Sequence, residues 1–122
     1  MKYLMTDQLK TNLSLGRTVE QWIGHERKTN YTVLQWLIIE KENNGEYSVV
    51  FKECFDEGAE NFLDIYEFSA LDPDEPYGMI TTFGTIADAI EFSESEYGAS
   101  KDKFVNSEMI QEEYLAYLKG QK

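Results

Sequence analysis

Two runs, YTVLQWLIIEK (31–41) and EYSVVFKECF (46–55), stand on either side of the residues ENNG, and this arrangement limits the fold more than any other feature. Both are rich in β-branched and aromatic side chains, which suit a pleated, packed surface. The Asn44-Gly45 pair between them is a hairpin signal, because both residues tolerate left-handed backbone. The expectation is an antiparallel strand pair. In the second run Tyr47, Val49, Phe51 and Phe55 alternate with Ser48, Lys52 and Cys54, so one face is expected to be buried and the other mixed.

The same period of two continues on both sides. NFLDIYEF (61–68) reads as a strand with Phe62, Asp64, Tyr66 and Phe68 on one face and Leu63, Ile65 and Glu67 on the other, and YGMITTF (77–83) as another. Upstream, RTVEQWIGH reads as a first strand in preference to the end of an N-terminal helix. After Phe83 the period becomes helical. Thr85 with Asp88 forms a capping box with a shorter acid than usual, and Gly98 stands at the left-handed C-cap. Between them Ile86, Ala89, Ile90, Ser93 and Tyr97 share one stripe, with Glu91 and Glu94 turned outward. A last helix is expected to open at Asn106 or Ser107, with Glu108 near its positive end, and to carry Ile110, Tyr114, Tyr117 and Leu118 inward before Gly120 ends it. Strands first and helices last define an α+β class: one domain over 1–122, an antiparallel meander of four to five strands with the C-terminal helices packed on one face.

The charge of this chain is segregated. Its net charge is −12, yet residues 1–52 sum to +1, residues 101–122 to zero, and residues 53–100 to −13, with no Lys or Arg among them. The densest part, DEGAENFLDIYEFSALDPDEP (56–76), interleaves eight carboxylates with Phe62, Leu63, Ile65, Tyr66 and Phe68, which marks it as part of the fold and not as a disordered tail. Such a field repels phosphates and anionic lipid and attracts cations or a basic protein surface. The expected partner is a basic protein, bound through Asp56, Glu57, Glu60 and Glu67 with Tyr66 and Tyr77 as aromatic anchors.

An alternative class uses the same charge for a divalent cation. Asp72, Asp74 and Glu75 are hard oxygen ligands of the kind Ca²⁺ or Mg²⁺ prefers, although Pro76 and Tyr77 break the EF-hand template and a solvated proline turn accounts for the same residues. A third class, single-strand nucleic-acid binding, would stack bases on Trp22, Tyr31, Trp36 and Tyr47 beside Arg17, Arg27, Lys28, Lys41 and Lys52. The acidic balance speaks against it, and these aromatics read more simply as core.

Catalytic patterns are lacking. On a strand Asp64 and Glu67 would point to opposite faces and form no acid/base pair, which leaves Asp64 as a structural acceptor for a tyrosine hydroxyl or Arg17. His25 reads as a loop histidine, and Cys54, between Glu53 and Asp56, as a thiol whose acidic neighbours oppose ionisation. No nucleophile elbow, phosphate loop or zinc cluster occurs, so the chain reads as a binding protein in preference to an enzyme, with no cofactor required. The N-terminus meets Asp7 too early for a secretory signal and the lone cysteine suits a reducing compartment, so cytoplasmic location and a monomer are the expectations.

Overall fold

The computed structural model describes residues 3–75 and 77–120. Its elements in chain order are α1 (Thr6–Ser14), β1 (Val19–Arg27), β2 (Thr32–Lys41), β3 (Tyr47–Phe55), a 3₁₀ turn (Ile65–Glu67), β4 (Met79–Phe83), α2 (Ile86–Tyr97), β5 (Val105–Asn106) and α3 (Ile110–Gly120). All pairings in the five-stranded sheet are antiparallel, in the order β4-β3-β2-β1-β5. The α+β class and the meander are therefore as the sequence reads. RTVEQWIGH does enter β1, and a separate helix, α1, precedes it.

The β2–β3 hairpin forms at the foreseen place. Gly45 N–H donates to Glu42 O at 3.0 Å and Glu42 N–H to Glu46 O at 2.7 Å, a three-residue loop in which Gly45 takes φ 89°. Register then follows strictly, with Trp36 opposite Lys52 and Ile39 opposite Val49. In β1 the register slips between Trp22 and Gly24, a bulge at Ile23 that bends the strand.

Both faces of the β2–β3 pair are buried, and this corrects the expectation that the C-terminal helices share one face. Leu37, Ile39, Tyr47 and Val49 pack with Leu9 and Leu13 of α1 and Ala89 and Ile90 of α2. On the opposite face Leu34, Trp36 and Cys54 pack with Ile65, Phe68, and Ile110 and Tyr114 of α3. Two apolar faces require two covering layers, so α2 and α3 part company across the sheet.

The second layer needs more than one helix, and residues 56–70 supply the rest. They do not form the strand foreseen at 61–68. The segment turns at Ala59–Phe62 and again in the 3₁₀ turn, where the Glu67 N–H donates to Asp64 O at 3.0 Å. Burial falls on Ile65 and Phe68 and not on alternate residues, while Tyr66 and Phe62, whose ring lies 5.8 Å from that of Phe68, are exposed. The period of two was real in the letters, but the apolar residues are spaced for single contacts with the sheet from a loop.

Helix α2 is locally specified, with the Asp88 N–H donating to Thr85 Oγ1 at 3.1 Å and Gly98 at φ 72°. α3 is not. It begins at Ile110, later than foreseen, because Asn106 belongs to β5 and its side chain accepts from the Asn12 side chain at 2.9 Å.

The tightest backbone approach lies where the loop meets α3. A Cβ on Gly58 would stand 2.5 Å from Phe62 O and from Phe68 Cζ, and 2.6 Å from Tyr114 Oη. Gly58→Ala is expected to destabilise the fold by about 1–3 kcal/mol through overpacking, read as a lower midpoint in urea unfolding; an unchanged midpoint would mean that the loop rides loosely over the sheet.

Candidate functional site

The acidic segment leaves β3 at Asp56 and returns to the sheet edge at residues 69–71, where the Phe55 N–H donates to Ser69 O and the Leu71 N–H to Glu53 O, both at 3.0 Å. β4 then continues along the same edge of β3. Between these two edge segments the chain makes an outward excursion, Asp72 to Gly78. Asp72 Oδ1 accepts from the Asp74 N–H at 2.9 Å and Asp72 O from the Glu75 N–H at 3.0 Å, so the aspartate builds its own turn. Pro76 lies outside the described residues. Among those described, no group of three or more His, Cys, Asp or Glu side chains is arranged to hold a metal ion.

The expected docking residues divide into two kinds. Glu57, Glu60, Glu67, Asp72, Asp74 and Glu75 are exposed, and Tyr77 is 77% exposed. Of these, Glu57 also accepts from the Ser69 N–H at 2.5 Å and Asp72 from the Asp74 N–H; Asp56 and Tyr66 bond across to other elements. Asp56 is half-buried and accepts from the Tyr114 hydroxyl, which fastens α3 over the end of β3. Burial and then Asp56 push the Tyr114 phenol well above its ordinary value, so it stays a donor. The Tyr66 hydroxyl donates to Glu20 Oε2, and its ring meets Trp36 edge-on at 5.3 Å.

The sequence does not single out Glu20, which is the second residue of β1 and 1% exposed. Its Oε1 accepts from the Glu108 N–H at 2.9 Å and the Ile110 N–H at 3.4 Å. It is thus the N-terminal cap of α3, placed where the helix dipole favours a carboxylate. Glu108 takes φ 77°, a strained backbone for a residue with a Cβ, and in that geometry its N–H reaches both Glu20 and the Tyr66 oxygen, the latter at 3.0 Å. Burial pushes the Glu20 carboxyl up, against the donors from Tyr66, Glu108 and Ile110 that pull it down. The one hint in the sequence was a glutamate flanked by buried-type residues in VEQW, a weak signal for so central a role.

A second convergence lies at the sheet edge. Tyr97 of α2 stacks on Phe51 of β3, with ring centroids 4.2 Å apart and planes 5° from parallel. Its hydroxyl is pushed up by burial and then by Glu96, Glu53 and Glu75. Glu53 of β3 and Asp72 and Glu75 of the excursion line one recess beside Phe51. Glu53 is also held by Gln35, whose Nε2 donates to it at 3.1 Å.

The remaining candidates are placed as follows. Trp36 and Tyr47 are buried, one under each covering layer, with Lys52 Nζ 5.5 Å over the Trp36 ring, while Trp22 is half-buried and Tyr31 is 46% exposed. Cys54 is buried and its thiol is pushed up to about 12, first by burial, which leaves it without thiolate character. His25 is on β1 and not in a loop; it is exposed, its ring 4.8 Å from that of Tyr117. No described helix is long and apolar enough to cross a membrane. No family model, curated protein or solved structure matches the chain.

Because folding raises the Glu20 value, this group stabilises the protein most below the ordinary glutamate range near about pH 4.3, and that contribution is lost as pH rises through the raised folded-state value. Glu20→Gln removes the titration. Urea unfolding of both proteins from pH 4 to pH 8, as roughly the window that covers a raised carboxyl, is expected to show the wild type losing stability relative to Glu20→Gln as pH rises; a constant difference would mean that the three donors cancel the cost of burial.

Proposed function

We propose that this protein is an interaction module that docks a basic partner protein on the acidic surface of residues 57–75. The observation that carries this reading is that most of the acids of residues 57–75 stay exposed in the fold, with Lys52 beside Glu53 and Glu75 at their margin. Asp56 and Glu57 accept hydrogen bonds within the fold, while Glu57, Glu60, Glu67, Asp72, Asp74 and Glu75 are exposed, Glu91, Glu94 and Glu96 are exposed on α2 across the sheet, and no Lys or Arg occurs anywhere from 53 to 100. Keeping many like charges together works against folding through mutual repulsion, so a clustered display points to use in association. A field of one sign speeds encounter with a cationic surface and rejects acidic ones.

Tyr77 provides an exposed ring at the margin of the acids, and Phe62 a second on the 56–70 loop. The lone buried cysteine suits a reducing compartment, and the proposed setting is the cytoplasm, with the protein acting as a monomer. The cation-binding alternative keeps Asp72, Asp74 and Glu75, but a docking surface needs no convergence of their oxygens, whereas a metal site does.

The test leaves Asp56 intact, since its loss would unfasten α3. A variant carrying Glu57→Gln, Glu60→Gln, Glu67→Gln, Asp72→Asn and Asp74→Asn is compared with the wild type in affinity capture, followed by calorimetric titration of the protein recovered. The expected partner is basic, and its affinity falls at least about tenfold both in the variant and on raising salt from about 50 to 200 mM. A partner bound equally well at both salts and by both proteins would overturn the proposal.

A further inference from the structure

We infer that the partner docks by strand addition: an extended, lysine- or arginine-bearing segment pairs with the open edge of β4. This rests on the acidic docking surface proposed above and specifies its binding mode. β4 is the terminal strand of the sheet, so every other residue turns its backbone N–H and C=O away from β3. Its sequence, MITTF, has no charged residue and no proline, the devices that ordinarily blunt such an edge. The opposite edge is treated differently. β5 has two residues, and Tyr3 bridges to its Val105.

The side chains of β4 are also left open on both faces. Met79 lies on the α2 side of the sheet and is 48% exposed, and Ile80 lies on the α3 side and is 59% exposed. Tyr77 leads into the strand. A paired segment would therefore gain backbone hydrogen bonds along its length and apolar contacts on either side, the combination by which added strands obtain affinity and specificity.

Charge decides which segment fits. At the start of β4, Glu53, Asp72 and Glu75 line a small recess with Phe51 and Met79. On the Ile80 face, Glu42 and Glu46 of the β2–β3 turn line a groove of about 460 Å³ with Ile80 and Thr82. An incoming strand meets carboxylates from both the excursion and the hairpin turn, so it is cationic. A second copy of this chain would bring its own Asp72, Asp74 and Glu75 to the same edge, and the same acids that attract a basic strand keep two copies apart.

The test uses an acetylated peptide of roughly ten residues alternating Lys and Val, with a Glu-Val peptide of equal length as control. Binding is measured by fluorescence anisotropy at low salt, and backbone amide exchange of the protein is followed with and without peptide. Expected are saturable binding of the Lys-Val peptide alone, at least tenfold slower exchange within residues 79–83, and at least tenfold weaker binding to Ile80→Glu. That substitution adds a carboxylate at an exposed position, so simple charge attraction predicts tighter binding; thermal unfolding confirms that the variant is folded. Equal or tighter binding by Ile80→Glu, with slowed exchange confined to residues 57–67, would overturn strand addition while leaving the acidic docking reading intact. Failure of the peptide to bind at all would overturn both. A wild-type dimer in sedimentation that Ile80→Glu dissociates would also overturn the inference, because the edge would then belong to a second copy.

Discussion

The β2–β3 hairpin is apolar on both of its faces, and the rest of the architecture answers that condition. A sheet with one wet face needs a single covering layer; this one needs two, since Leu37, Ile39 and Val49 point one way while Leu34, Trp36 and Cys54 point the other. Helices α1 and α2 cover the first face. Only α3 is left for the second, and an eleven-residue helix is too narrow to shield it. The acidic segment 56–70 completes that layer, which explains why aromatic and aliphatic residues are threaded through a run of carboxylates.

A loop used as a wall must be fastened, and here tyrosine hydroxyls on carboxylates do it. Tyr114 holds α3 to Asp56, and Tyr66 holds the 3₁₀ turn to Glu20, which also caps α3 through the Glu108 and Ile110 N–H groups. Burial first, and then the paired carboxylate, keeps each phenol protonated, which avoids two negative partners in contact. The acids thereby divide by role. Asp56 and Glu20 bind the layer together, and the exposed remainder forms a surface whose charge is not matched by any cation of the same segment. At the margin of that surface lies a strand edge without the usual protection, so electrostatics and backbone pairing meet at one place.

Features governed by neighbours in the chain were legible. The Asn44-Gly45 turn set the hairpin and its register, and Thr85, Asp88 and Gly98 marked both ends of α2, because turns and caps are made by groups two to four residues apart. The exposed acids of the candidate surface and the exposed Tyr77 were equally visible as residues. Residues 61–68 form no strand although their letters alternate, because alternation resembles a strand whether or not a neighbour exists to pair with it, and β4 with residues 69–71 already occupies the free side of β3. For α3 the stripe was visible and the start was not, since its cap comes from Glu20 on the first strand.

By itself, then, the sequence determined the class, the central hairpin, one complete helix and the concentration of charge in residues 53–100, all of which follow from local periodicity, local capping and simple counting. Only the tertiary structure decided that the helices divide between two faces, that Asp56 and Glu20 are fastenings, that Glu53, Asp72 and Glu75 line one recess, and that β4 is an open edge. These depend on which strands become neighbours, and alternation assigns a side chain to a face without saying what will lie across from it.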